Sequence, residues 1–91
     1  MPARKAAAPK LSSSARKSLE ARIKRLEEMI ARLNAKKAQM EASLADPAIY
    51  QDASKALLET VLRDQAYVGK ELGQLEGEWL EKQAELEQPA G

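Results

Sequence analysis

Cysteine, histidine and phenylalanine are missing from this 91-residue chain, and one Trp and two Tyr are its only aromatics. Without cysteine there is no disulfide and no thiolate, and without histidine no imidazole can act as a base or a metal ligand. Aromatic side chains dominate the buried area of globular cores, so a chain this poor in them has little to fill a wide one. No apolar run approaches the ~20 residues of a membrane-spanning helix, and the N-terminus lacks the apolar segment of a secretory signal. A soluble, cytoplasmic setting is the expectation. The length allows one domain and no second core.

What the chain does have is charge, and it is polarised. The net charge is only +1, but Met1 to Lys37 carries eleven Lys/Arg against three Glu, and Ala38 to Gly91 carries four against eleven Asp/Glu. The two portions are therefore +8 and −7. A chain of this kind pairs with itself, binds an anion with its basic end, or does both.

Apolar residues recur at heptad spacing in two long segments. Met1 to Lys10 has two prolines, small residues and three basic side chains without apolar periodicity, and reads as a disordered basic tether. Ser12-Ser13-Ser14 then offers hydroxyls to the free amides of a new helix. Leu19, Ile23, Leu26, Ile30, Leu33, Met40 and Leu44 follow at alternating steps of four and three, with Lys37 filling the gap, which predicts a helix over about 14–45. Pro47 disfavours helical geometry at Asp46, and Asp46 can cap a short turn through Tyr50. Asp52 is the expected N-cap of a second helix over about 53–87, with Pro89 ending it. Its seam is Leu58, Val61, Gln65, Val68, Leu72, Leu75, Trp79, Lys82 and Leu86.

The expected fold is all-α: a two-helix antiparallel coiled-coil hairpin at 13–88, with a flexible basic linker at 1–12, a turn at 46–52 and a disordered tail at 89–91. Register follows from arithmetic, since residues level across an antiparallel hairpin have position numbers of nearly constant sum. Leu44 with Leu58, Lys37 with Gln65, Ile30 with Leu72 and Ile23 with Trp79 each sum to 102, and the interleaved pairs Met40–Val61, Leu33–Val68, Leu26–Leu75 and Leu19–Lys82 to 101. The polar layer at Lys37 and Gln65 would fix register at some cost in stability. Arg22 beside Glu78 and Lys36 beside Asp64 are attractive flanking pairs, and Glu27 beside Glu76 is repulsive. Exposed pairs contribute little, so burial is expected to drive the fold and charge to tune its register. Gly69, Gly73 and Gly77 are weak spots of the second helix, or else a groove for another helix.

Catalytic signatures are absent. There is no GxxxxGK[ST] loop and no metal-ligand spacing, and the carboxylates are spread along helix faces with no pocket to raise a pKa. Enzyme activity and a cofactor in this chain are not expected. The functional signal is basic: Lys17 and Lys24 fall at heptad position b, and Arg25 and Arg32 at c, all facing away from the partner helix. With Glu20, Glu27 and Glu28 at e and f, the stripe is expected to run uninterrupted. The candidate phosphate contacts are Lys10, Arg16, Lys17, Lys24, Arg25 and Arg32, with Arg4 and Lys5 extending the field. Binding would be tolerant of sequence, because no element here reads base edges. The same charges would also serve simply to keep the helix soluble and to complement the acidic second helix. Trp79 is expected in the core opposite Ile23, Tyr67 on the outside, and Tyr50 over the hairpin tip beside Ile49 and Leu44.

The string Leu44-Ala45-Asp46-Pro47-Ala48-Ile49-Tyr50 resembles the L-x-D-P-x-x-Y tip of the C-terminal domain of the ABC-F ATPases, in particular the Uup-like branch. Lys10-Leu11-Ser12 is similar to the K-L-S that opens that domain, and Glu78-Trp79-Leu80-Glu81 to its late W-x-E segment. Ser13-Ser14 stands where aromatic and charged residues are usual, and the usual early proline is missing. The resemblance implies a hairpin tethered behind two ATPase cassettes that hold ATP, DNA binding as in Uup-like members, and a ribosome-associated class of proteins. The expected partner is thus DNA, with ribosomal RNA or the ribosome and the protein's own ATPase domains as alternatives, and the hairpin is expected to be a monomer. A different reading is a protein-packing module, suggested by Leu57 and Leu62, which widen the second seam.

Overall fold

The computed structural model of the protein describes residues 12–87. The expected tether, Lys10 included, and the expected tail lie outside the described residues. Two long helices, α1 at Ser13–Ala45 and α2 at Lys55–Leu86, form an antiparallel hairpin joined by two short 3-10 turns, Pro47–Tyr50 and Asp52–Ser54. Each helix is roughly 50 Å long at 1.5 Å per residue.

α1 starts where the serine run predicts. Ser12 is extended, its hydroxyl accepts from the Ala15 N–H at 3.0 Å, and its carbonyl takes the Arg16 N–H at 2.9 Å. The side chain thus satisfies an amide that has no partner in the preceding turn. At the far end Asp46 leaves helical geometry, as a residue before proline must. Its carboxylate accepts from the Ala48 N–H at 3.0 Å and caps the 3-10 turn whose first residue is Pro47.

The start of α2 differs from the expectation. Asp52 does not cap it, because Asp52 already lies inside the second 3-10 turn and the N-cap position falls on Ser54, which makes no side-chain cap bond. The Gln51 and Asp52 carbonyls accept from the Ser54 and Lys55 amides, so the backbone occupies the donors a side-chain cap would serve.

The core is the predicted seam. Ile23, Leu26, Val61, Val68 and Leu72 are buried, Leu26 fully, and the remaining apolar seam residues are half-buried. Burying one such side chain contributes about 1.5–3 kcal/mol. Lys37 is exposed and Gln65 half-buried, so the polar layer opens the seam to water midway. One buried residue lies off the heptad: Ile49, only 4% exposed, closes the tip from the first 3-10 turn, which touches both helices. Tyr50 does not share that role. Neighbouring residues in a turn of three per revolution point about 120° apart, so with Ile49 inward the Tyr50 ring is left 59% exposed. Its hydroxyl instead donates to the Leu44 carbonyl oxygen at 2.6 Å.

Arg22 and Glu78 meet as the register requires. The Arg22 Nε and Nη2 atoms each donate to a Glu78 carboxylate oxygen at 2.8 Å, a two-pronged bond across the hairpin. Lys36 and Asp64 share a recess but form no ion pair.

Candidate nucleic-acid interface

A helix that runs without a break from Ser13 to Ala45 fixes the direction of every basic side chain on it. The seam turns Ile23, Leu26, Ile30 and Leu33 toward α2, so Lys17, Lys24, Arg25 and Arg32 remain exposed on the outer face, while Arg16, seven residues before Ile23, is exposed at the open end of the seam. Among the described residues none of these five forms a salt bridge. Arg22 is different. Its guanidinium is engaged by Glu78, and those hydrogen bonds hold it above, and the Glu78 carboxyl below, their ordinary pKa values. Arg22 therefore seals one flank of the hairpin, and its neighbours stay free.

The helical geometry also corrects the stripe. Glu28 at heptad position f lies between b and c on the helix surface, three residues from Arg25 and four from both Lys24 and Arg32. Glu20 stands in the same relation to Lys17, three residues away, and to Arg16 and Lys24, four away, so the basic face is interrupted twice and its cations alternate with two carboxylates. Arg32 also shares a shallow recess with Glu71 of α2, beside Met29, Leu33 and Leu75.

Lys36, set aside in the sequence for Asp64, is exposed and unpaired among the described residues. Four residues past Arg32, it continues the positive face toward the tip, a relation visible in the i, i+4 spacing. Tyr67, 63% exposed, lines the same recess as Lys36 and Asp64, with an aromatic face open to solvent.

Trp79 keeps its seam position but is not fully enclosed. It is half-buried, and its indole Nε1 donates to Glu27 Oε2 at 3.0 Å across the hairpin. Side chains tilt toward their helix N-terminus, which for α2 lies at the tip. Trp79 accordingly leans past its level partner Ile23 toward Glu27 and Ile30.

Among the described residues no cluster of acidic, histidine or cysteine side chains could hold a metal ion, and no helix is long and apolar enough to cross a membrane. A family model described as the ABC transporter C-terminal domain matches residues 10–84. The chain belongs to this family. No curated protein and no solved structure matches it. In this ABC transporter C-terminal domain the matched span takes in all six candidate phosphate contacts, from Lys10 to Arg32, together with the tip at 44–50 and the Trp79 segment.

Proposed function

We infer that this domain is a non-catalytic, sequence-tolerant DNA-binding arm of an ABC-F ATPase of the Uup-like branch, acting as a monomeric hairpin in the cytoplasm, with ATP held by cassettes upstream. The observation that supports it is the set of four exposed cations, Lys17, Lys24, Arg25 and Arg32, on the outward side of α1, with Arg16 exposed at its start, each without a salt-bridge partner among the described residues. Arg16 and Lys17 stand in the first turns of α1, where the helix dipole adds positive potential. Lys10 would extend the contact along the strand. The side chains are long and exposed on a helix surface, which suits phosphates at varied positions and gives no means of reading base edges.

A DNA titration at two salt concentrations tests the reading, comparing the natural chain with a variant in which Lys17, Lys24, Arg25 and Arg32 are replaced by Glu. The variant should lose binding while keeping its helical circular dichroism. Unchanged affinity would end the proposal.

A second reading has its own support. Leu57 and Leu62 are 56% and 48% exposed, which favours packing against protein, either a second hairpin or the ATPase domains. Sedimentation at several concentrations tests the second hairpin, because a monomer with salt-sensitive DNA binding leaves self-packing no role. Contact with ribosomal RNA uses the same electrostatics, and competition between RNA and DNA distinguishes them.

A further inference from the structure

At the height where Arg22 and Glu78 close one flank of the hairpin, the opposite flank is open. A groove of about 540 Å³ runs there between the helices. Its floor is apolar, made by Ile30 and Ala31 of α1 and by Trp79 and Leu80 of α2, with Leu80 62% exposed. Its edges carry Glu27 and Glu76, and no cation lines it. Glu27 receives one hydrogen bond, from Trp79, and Glu76 receives none among the described residues. Toward the tip the flank stays low, since a Cβ at Gly73 or Gly69 would meet nothing within 4 Å.

The chemistry of this groove selects its occupant. Two unneutralised carboxylates repel phosphate, so it is no continuation of the basic face. A second copy fits poorly, because a two-fold pairing centred here sets the Glu27 and Glu76 carboxylates of one copy against those of the other. The basic face of another copy has only Ala21, Ala31, Ala35, Ser18 and Glu28 between its cations, and no apolar side chain large enough to cover Leu80 and the indole. What does match is an apolar ridge with cations on both sides, the geometry of a helix laid into a groove. We propose that the Trp79–Leu80 groove docks a lysine- or arginine-rich amphipathic helix of another protein, whose aliphatic side chains cover Leu80 and the indole while its cations pair with Glu27 and Glu76. The groove adjoins the basic stripe at Lys24, three residues before Glu27 and seven before Ala31, so a docked helix and a nucleic-acid strand would meet at that edge of the hairpin.

Trp79 is the only tryptophan in the chain, so its fluorescence reports occupation of the groove directly. The probe is a synthetic helical peptide with leucines spaced three and four apart and lysines elsewhere, beside a control with glutamates in place of the lysines. The lysine peptide should give a saturable blue shift and the glutamate peptide none. Leu80→Ser, at an exposed position that leaves the fold intact, should weaken binding roughly tenfold, the scale of one truncated interface anchor. Glu27→Gln with Glu76→Gln keeps an acceptor for the indole and should remove the preference for the lysine peptide. Neutralising Lys17, Lys24, Arg25 and Arg32 should leave that preference in place. The proposal is overturned by no saturable shift, or by binding indifferent to Leu80→Ser and to the two glutamine changes. It is equally overturned by a shift that grows with protein concentration alone, which would seat a second copy in the groove, or by a DNA-induced shift that Leu80→Ser abolishes.

Discussion

Replacing Gly69, Gly73 and Gly77 together with alanine should raise the stability of the hairpin substantially. All three lie inside α2, all are exposed, and a Cβ built at each meets nothing within 4 Å. Alanine therefore adds neither a clash nor a contact, and its effect comes from restricting the unfolded chain and shielding the helix backbone. Each change is worth about 0.8–1 kcal/mol in a helix interior, and the sites share no side-chain partner, so the triple variant should gain roughly 2.5–3 kcal/mol. At ~4–8 °C per kcal/mol for a domain of this size, the melting temperature should rise by roughly 10–24 °C. Thermal unfolding followed by helical circular dichroism measures it, with m-values from urea unfolding to establish that the transition is unchanged. A melting temperature that stays put or falls would refute the reasoning, for it would mean that something occupies the space beside these glycines in solution.

Ile49→Ala should cost roughly 2–5 kcal/mol and unfold much of the population at 37 °C, since it empties the one buried site at the tip; urea unfolding checks it. Asp46→Ala removes the carboxylate that accepts from the Ala48 N–H and should cost roughly 0.5–2 kcal/mol by the same measurement. Glu78 titrates below its ordinary value of 4.5 because Arg22 hydrogen-bonds its charged form. Its contribution is therefore complete above pH 4.5 and lost as pH falls through the lowered folded-state value. Melting temperatures across pH should accordingly show the natural chain above Glu78→Gln at neutral pH and level with it in strong acid.

Much of this architecture was legible because a heptad is a property of spacing alone. The seam, its register, the Arg22–Glu78 pair and the Asp46-Pro47 stop follow from position numbers and from the restriction that proline places on its neighbour. What escaped prediction depends on direction in three dimensions. Ile49 is buried by a 3-10 turn, where heptad arithmetic no longer applies. Asp52 lost its capping role because backbone carbonyls reached the free amides first. Trp79 fell at the expected level, yet the tilt of α2 side chains toward the tip carried its indole to Glu27 and left it half-exposed. The basic stripe was visible as a set of residues, but its interruptions at Glu20 and Glu28 and its extension at Lys36 required the order of positions around the helix as well as along it.

The central claim, that the outward face of α1 holds nucleic-acid phosphates, is tested most directly by the slope of log affinity against log salt for duplex DNA. Each neutralised phosphate contributes about −0.9 to that slope, so replacing Lys17, Lys24, Arg25 and Arg32 with glutamine should make it shallower by roughly 3–4. A slope and an affinity that both survive the four substitutions would contradict the account.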